Sequence, residues 1–567
     1  MTLLKVVLRH YRLSFIAVMV LSLLSAMLGI GVIAFINRRL IDAQGQTIAT
    51  LWPFLGLIAL LLLVSLAAQL SLTLLGHRFV YNLRARLVKR LLDTDIERIE
   101  TLGSAPLLAA LSSDIRNITV AFVRLPELIQ GVVLSLAATV YLLMLSVPLF
   151  LVTAVWLAVT LAVGSRMVGS VYRHLGHIRD AEDQLYGDFQ AIIDGRRELA
   201  LNRDRARRLF EEDFTRHAQA YRHHIVRSDT SHLSAGNWTN IMMLGAIGVV
   251  FLLANAFGWA NTAVAATFAL TLLFIRAPLI QAVGALPTLL AGEVAFRRLQ
   301  ALELAPWQPD FQPAERLPDD WQRLQLQGVR YGYPARGESA AFTVGPLDLT
   351  LQRGEQVFVI GGNGSGKSTF GRLLSGLYAP HAGALKLDGM EIGEPLRPAW
   401  RERFAAVLTD FHLFDRLLGP QGDEADPALV EAWLDRLGLR DKVSLAAGRI
   451  TDTRLSQGQR KRLGLLLAVA EQRDILLLDE WAADQDPAFR RVFYLELLPE
   501  LRRQGITVIA ITHDERYFAQ ADRLLMMQHG QLRELEGEEY HRAARDALQM
   551  AASESAQAPH EPGSANQ

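Results

Sequence analysis

The nine residues GGNGSGKST (361–369) stand between a short β-branched run, QVFVI (356–360), and the stretch FGRLLSGL (370–377). They fit the spacing G-x-x-x-x-G-K-[ST] in the strand–loop–helix setting that this motif needs. The turn such a loop makes lets the backbone N–H groups of Gly362 to Lys367 wrap the phosphates of a nucleotide. Lys367 adds a charge for the outer phosphates, and the Ser368 hydroxyl is placed to ligate Mg2+. The candidate loop therefore comprises Gly361, Gly362, Asn363, Gly364, Ser365, Gly366, Lys367, Ser368 and Thr369.

Further along, DILLLDE (474–480) reads as a buried strand ending in two carboxylates. Asp479 is placed to hold the Mg2+ shell and Glu480 to polarise an attacking water, as phosphoryl transfer to water requires. LSQGQ (455–459) leads into RKRLGLLLAVA (460–470), and a Ser and a Gly at a helix N-terminus offer free N–H groups to an anion. Taken singly, that segment is also an ordinary N-cap, and an apolar run ending in Asp-Glu is common. Taken in order they resemble the ATP-binding cassette (ABC) family, with LSQGQ as its signature loop. His513, after VIAIT (508–512), resembles the family's switch histidine, which contacts the γ-phosphate; Tyr333, in YGYP, resembles the aromatic residue stacked on adenine. LSGLYAPHAGALKLDG (374–389) has the family pattern as well.

The resemblance spans about residues 10–540 and implies an exporter-type half-transporter. Its fold class is an α-helical six-span membrane domain of the type 1 exporter kind, fused to an α/β P-loop nucleotide-binding domain. Such cassettes work in pairs, so one fused copy implies a homodimer. ATP on the loop of one copy is then closed over by Ser456, Gln457, Gly458 and Gln459 of the other. Asp486 is the nearest match to the aspartate that couples the two sites. ATP and Mg2+ are the implied cofactors.

The first half of the chain is apolar, and it holds most of the 51% hydrophobic content. A helix of about 20 apolar residues crosses a bilayer, and six runs qualify: 13–36, 51–75, 126–146, 147–169, 236–257 and 262–286. The first comes after Lys5, Arg9 and Arg12 and is too long for the apolar region of a secretory signal, so it reads as a retained span. Ser146-Val147-Pro148 predicts a tight outer turn, and a short loop around Gly258-Trp259 joins the last two spans. Residues 76–125 carry Arg78, Arg84, Arg86, Lys89, Arg90 and Arg98, and 166–233 are denser in cations, which places both loops in the cytoplasm by the positive-inside rule. Arg38 and Arg39, on the outer side, run against this scheme.

LRARLVKRLLDTDIERI (83–99) and RARRLFEEDFTRHAQAY (205–221) show apolar residues at three-to-four spacing, which predicts amphipathic helices prolonging the spans. The expected turning points are Ser112-Ser113-Asp114 and Asp194-Gly195-Arg196. Arg276, inside the sixth run beside Pro278, has two readings: it faces a pathway, or it snorkels from near the cytoplasmic end.

Lys plus Arg and Asp plus Glu tie at 58 each over 567 residues, which offers no case for nucleic acid. The absence of cysteine excludes disulfides, thiolate metal sites and a Cys nucleophile. The expected layout is a membrane domain over 1–304, a Pro-rich linker over 305–322, the nucleotide-binding domain over 323–545 and a polar, disordered tail over 546–567.

One stretch departs from the family. In VLTDFHLF (407–414) the usual Gln falls at Thr409, while Asp410, Leu413 and Phe414 keep the frame. AAGRITDTR (446–454) also lacks the Gly-Glu-x-Gly of many exporters. TDFHLFDRLLG (409–419) and DGRRELALN (194–202) together resemble the bacterial cyclic-peptide exporter subgroup, related to exporters of pyoverdine-type siderophores, syringomycin-like lipopeptides and lasso-peptide microcins. This implies ATP-driven export of a peptide-type cargo across the bacterial inner membrane, with the N-terminus and ATPase half cytoplasmic. The implied partners are a second copy, an amphipathic or peptide-like cargo and membrane lipid. A lipid or multidrug transporter, a siderophore importer and a non-transporting regulator are the other readings; the intact Glu480 argues against the last.

Overall fold

The computed structural model describes residues 12–41, 48–312, 315–333, 342–451 and 454–540, and the tail expected over 546–567 lies outside them. The chain divides into two compact units, Met1–Leu92 with Gly103–Leu304 and Asp93–Leu102 with Ala305–Gln567. Residues 93–102, placed by the sequence in the membrane domain, thus cluster with the second unit.

In the first unit, six helices are long and apolar enough to cross a membrane: Arg12–Arg39, Leu51–Asp93, Pro106–Leu145, Val147–Asp194, Arg203–Phe257 and Thr262–Ala301. Each contains one of the apolar runs, except that Ser146, the last residue of the third run, falls just past its helix. Leu62 and Leu63 on the second are 66% and 63% exposed, the pattern of a surface whose natural cover is hydrocarbon. The fourth helix has 48 residues, about 72 Å at 1.5 Å per residue, more than twice the hydrocarbon core of about 30 Å. The spans therefore continue as long helices beyond the membrane, as the amphipathic spacing predicts.

The turns between the third and fourth helices and between the fifth and sixth are tight. Ser146 alone interrupts the third and fourth helices, with Pro148 in the first turn of the next, where its missing N–H costs nothing. Gly258, in the left-handed region at φ 65°, ends the fifth helix, and the Asn261 side chain caps the sixth by accepting from Val264 N–H at 2.8 Å. Ser146 Oγ also donates to the carbonyl of Trp259 at 3.3 Å, which links the two turns.

Helix contacts rely on small residues. A Cβ on Gly292 would fall 2.3 Å from Ala121 Cβ, and one on Gly131 would fall 2.5 Å from the Pro278 carbonyl oxygen, so the third and sixth helices touch nearly backbone to backbone. The fourth and fifth are stitched by indoles: Trp156 Nε1 donates to Met242 O at 2.7 Å and Trp238 Nε1 to Thr160 O at 3.1 Å.

Of the two expected turning points, Asp194-Gly195-Arg196 is a break between helices, whereas Ser112-Ser113-Asp114 is not. There the chain stays helical, with a π-helical turn over Ala110–Asp114, and Ser112 Oγ and Ser113 Oγ donate to the carbonyls of Leu108 and Ala109 four residues back, at 2.6 and 3.1 Å, as hydroxyls within a helix do. Asp114 is buried, 3.9 Å from Arg298. The first reversal lies earlier, around Thr94-Asp95 and at Gly103, whose φ of 75° suits only glycine readily.

The second unit is built on a six-stranded sheet in the order Gln531–Glu534, Arg523–Gln528, Gln356–Ile360, Thr507–Ile511, Ile475–Asp479, Phe404–Val407. All neighbours run parallel except the first pair. QVFVI and ILLLD are buried at every position, as strands covered on both faces must be. Alternate residues serve two cores. Val357, Val359, Leu477 and Ile509 pack towards a second, four-stranded antiparallel sheet and the helix Lys367–Leu374; Phe358, Leu476, Leu478 and Val508 pack towards Trp433, Leu465 and Phe493 on helices. Leu317 and Trp321, from the Pro-rich linker, are buried in the first of these cores.

The Gly292 contact generates a stability prediction. Gly292→Leu is expected to lower the unfolding midpoint of the solubilised protein, with a cost of about 1–3 kcal/mol for overpacking. Gly284→Leu, where a Cβ meets nothing within 4 Å, should leave it unchanged. Equal thermal midpoints for the two variants would remove the close approach.

Candidate nucleotide site

The parallel sheet gathers the candidate residues at one edge. The loop begins after Ile360, Asp479 ends its own strand, His513 lies two residues past Ile511 and Thr409 two residues past Val407. These are the carboxyl ends of four neighbouring parallel strands, where open α/β sheets place their ligands.

Two glycines are required by sterics. Gly361 has φ 144° and a Cβ there would lie 2.2 Å from the Met527 carbonyl oxygen; Gly366, at φ 107°, turns the chain into the helix Lys367–Leu374. Lys367 folds back over the loop and donates to the carbonyls of Gly361 at 2.8 Å and Gly362 at 3.0 Å. It is buried, and desolvation pushes its pKa below the ordinary lysine value against the pull of Glu480 and Asp479. Gly362, Asn363 and Gly364 stay exposed at the loop's tip.

Asp479 is 5% exposed, and among the described residues its Oδ1 has no hydrogen-bond partner. Burial raises its pKa first of all; hydrogen bonds from Ser368 and Thr409 act the other way. A buried, unsatisfied carboxylate oxygen beside a hydroxyl is the donor chemistry of a hard divalent cation, so Ser368 and Asp479 fit Mg2+. Thr409 Oγ1 also lies 3.4 Å from the Asp479 carbonyl oxygen. The residue at the usual Gln position thus touches the same strand end by a shorter reach.

Glu480 adopts φ 51°, a left-handed conformation uncommon outside glycine and costly enough to need support. Its N–H donates to Ile511 O at 3.0 Å, and its carbonyl accepts from Lys461 Nζ at 2.7 Å. The carboxylate Oε1 stands 3.3 Å from His513 Nε2. Tyr333 is anchored next to the loop helix, its hydroxyl 3.0 Å from Thr369 Oγ1.

The signature segment forms a full capping box: Ser456 Oγ accepts from Gln459 N–H and Gln459 Oε1 accepts from Ser456 N–H. Gln457 Nε2 donates to Asp484, and Gly458 O accepts from Gln485. Among the described residues, Ser456 to Gln459 make no hydrogen bond to the phosphate loop of their own chain. Asp486 caps the helix Pro487–Val492 through Phe489 N–H and pairs with Arg462 at 2.7 Å; that N–H bond above all holds its pKa below the usual carboxylate value.

Two features escape a reading of the sequence. Lys461, 3% exposed, bonds the Glu480 carbonyl and pairs with Asp484 at 2.7 Å. Its signal is a cation sharing a helical face with Leu465 and Ala468. The other feature is an acidic segment, Asp93–Leu102, in the second unit. Asp95 pairs with Arg401 at 2.9 Å, and Glu100 accepts from the Tyr378 hydroxyl and lies 3.7 Å from Arg372. Burial, then hydrogen bonds to Glu97 and Glu100, push the phenols of Tyr331 and Tyr378 upward. Tyr331 stacks edge-on against Tyr333, so this cluster adjoins the nucleotide loop.

The ABC transporter family model matches residues 344–483. Over 527 residues the chain is 34% identical to the ATP-binding protein SyrD of Pseudomonas syringae pv. syringae, covering 90% of this chain and 92% of that one. The macrolide export ATP-binding/permease protein MacB 1 of Yersinia pestis bv. Antiqua (strain Antiqua) is 32% identical over 225 residues, 37% of this chain and 33% of its own length. A bacterial Atm1-family ABC exporter solved with ATP bound superposes with a TM-score of 0.72 over 98% of this chain and all of its own, at 19% identity, which establishes the fold. The likeness to SyrD covers both halves, and with the phosphate loop at the sheet edge it shows that this chain belongs to the ABC transporter family, as an exporter-type ATP-hydrolysing translocase with membrane and ATPase halves fused.

Proposed function

We propose that the chain exports a peptide-type cargo, a cyclic peptide, siderophore or lipopeptide, across a bacterial inner membrane as a homodimer with two composite ATP sites. The observation that carries this reading is the relative matched across both halves: the SyrD likeness includes the membrane helices, whereas the macrolide-exporter likeness covers 37% of the chain. The subgroup resemblance of 194–202 and 409–419 supports the cargo class. The cation-rich loops support a cytoplasmic ATPase half.

In this mechanism the loop N–H groups and Lys367 hold the ATP phosphates. Ser368 and Asp479 would hold Mg2+, which when bound neutralises charge on the transferred phosphoryl group. Glu480 takes the proton of the attacking water, and His513, within reach of Oε1, orients that carboxylate. The exposed capping box of LSQGQ, unbonded to its own loop, supports its use by a second copy. The Asp93–Leu102 segment, bonded to Arg372 and Arg401 and contiguous with the second span, supports a route from nucleotide state to membrane helices.

This assignment has three measurable outcomes. Glu480→Gln should retain ATP binding and lose about 10² or more in turnover, the share of a general base; turnover within a few-fold of wild type takes the role away from Glu480. Mixing subunits carrying Ser456→Arg with subunits carrying Lys367→Ala should restore no more than one of two sites per dimer, and cross-linking that finds only monomers with ATP bound would sink the composite site. Thr409→Gln should alter ATPase rate by well under tenfold, equivalent to about 1.4 kcal/mol of barrier, because Thr409 already reaches Asp479. A steep rise in both basal and cargo-stimulated hydrolysis, with Thr409→Ala unchanged, would instead mark the threonine as a lesion.

A further inference from the structure

Within the six apolar runs, Arg276 is the one charged residue more than five positions from either end. Glu127 sits at the start of its run, paired with Arg124 at 2.6 Å, and Arg166 lies near the end of its own. Arg276 is 14 residues into the sixth helix, about 21 Å from its outer end at 1.5 Å per residue.

Its guanidinium has no carboxylate partner among the described residues. It donates through Nη2 to Asn240 Oδ1 on the fifth helix, a neutral acceptor. That bond ties the head group to the neighbouring helix. Asn240 is 17 residues from the end of the fifth helix, about 25 Å at the same rise, so the head group is held within the inner half of the apolar layer.

A guanidinium carries five N–H donors in a planar fork, and one is engaged here. The side chain is half-buried; Leu273 and Ile280, three residues before it and four after it on the same helix, and Ile241 and Leu244, one and four residues beyond Asn240, are between 46% and 69% exposed. An uncompensated cation facing lipid tails is strongly disfavoured, and such residues face a cavity or a partner. The remaining N–H pairs match a carboxylate, which Arg binds in a two-pronged fashion.

We infer that Arg276, steadied by Asn240, is the recognition point for a carboxylate on an amphipathic cargo whose apolar part lies along Leu273, Ile280, Ile241 and Leu244. This rests on the export reading above and narrows its cargo class to acids.

The test uses the full-length protein in phosphatidylcholine vesicles with ATP supplied to the ATPase side. The probes are an N-dodecanoyl tetrapeptide with a free C-terminal carboxylate and the same molecule as its C-terminal amide. ATP-dependent uptake by wild type is expected to half-saturate at about tenfold lower acid than amide, the discrimination a site built for a polar group reaches readily. Arg276→Gln should abolish that preference and Arg276→Lys should keep part of it. Equal half-saturation by wild type, or a preference kept in Arg276→Gln, overturns the proposal while leaving export intact. If neither peptide is moved, the peptide reading fails, and dodecanoate against dodecanol then tests the site by itself. An Arg276-dependent preference for dodecanoate upholds the anion site; no preference overturns it. If phosphatidylglycerol in the vesicles erases the acid preference, the occupant is a lipid headgroup and the cargo site is overturned.

Discussion

The ammonium group of Lys461 is the contact on which the ATPase site turns. It is buried, so it must be compensated, and it has two partners at 2.7 Å: the Glu480 carbonyl and the Asp484 carboxylate. The return bond, Trp481 Nε1 to the Lys461 carbonyl at 2.7 Å, closes the link. One cation on the signature helix thereby fixes the backbone of the residue after Asp479 and the segment after it. Glu480 is kept in its strained conformation by this grip and by Ile511, with its carboxylate directed to His513. Displacing the helix Gln457–Ala470 therefore disturbs the Glu480 carboxylate of the same chain, the general base proposed above.

The sheet supplies the second requirement. Parallel strands end on one edge, so residues from four distant stretches, 361–369, 409, 479–480 and 513, meet without a dedicated scaffold. Buried strands such as ILLLD can be read from composition, and the residues just beyond their carboxyl ends land at the edge by topology. Thr409 lies just past one of these strand ends. Its hydroxyl reaches the Asp479 carbonyl although its side chain is shorter than the residue usual at that place.

The legible part of the sequence was local. The glycine spacing of 361–366, the terminal carboxylates of 474–480 and the lengths of the six apolar runs each express a constraint within a few residues of chain. The features that escaped depend on distant partners. Glu100 and Tyr378 are 278 positions apart, and nothing in ERIETLG announces a tyrosine beside it. Ser112-Ser113-Asp114 reads as a turn because Ser and Asp favour turns, but the backbone runs on as a helix and the two hydroxyls bond back to it. Lys461 is an intermediate case. A cation on an apolar face was visible, yet its role needed the Glu480 carbonyl in view.

The single-residue corner at Ser146, tied to Trp259, has a mechanical side. A turn with no spare residues cannot absorb sliding between the helices it joins; it can only pivot. The fourth helix hangs from that corner as a rigid arm of about 72 Å. A swing of about 10° at the corner carries the far end through about 13 Å by that length. A small movement at the corner and a large one at the opposite end are then the same event, seen at the two ends of one lever.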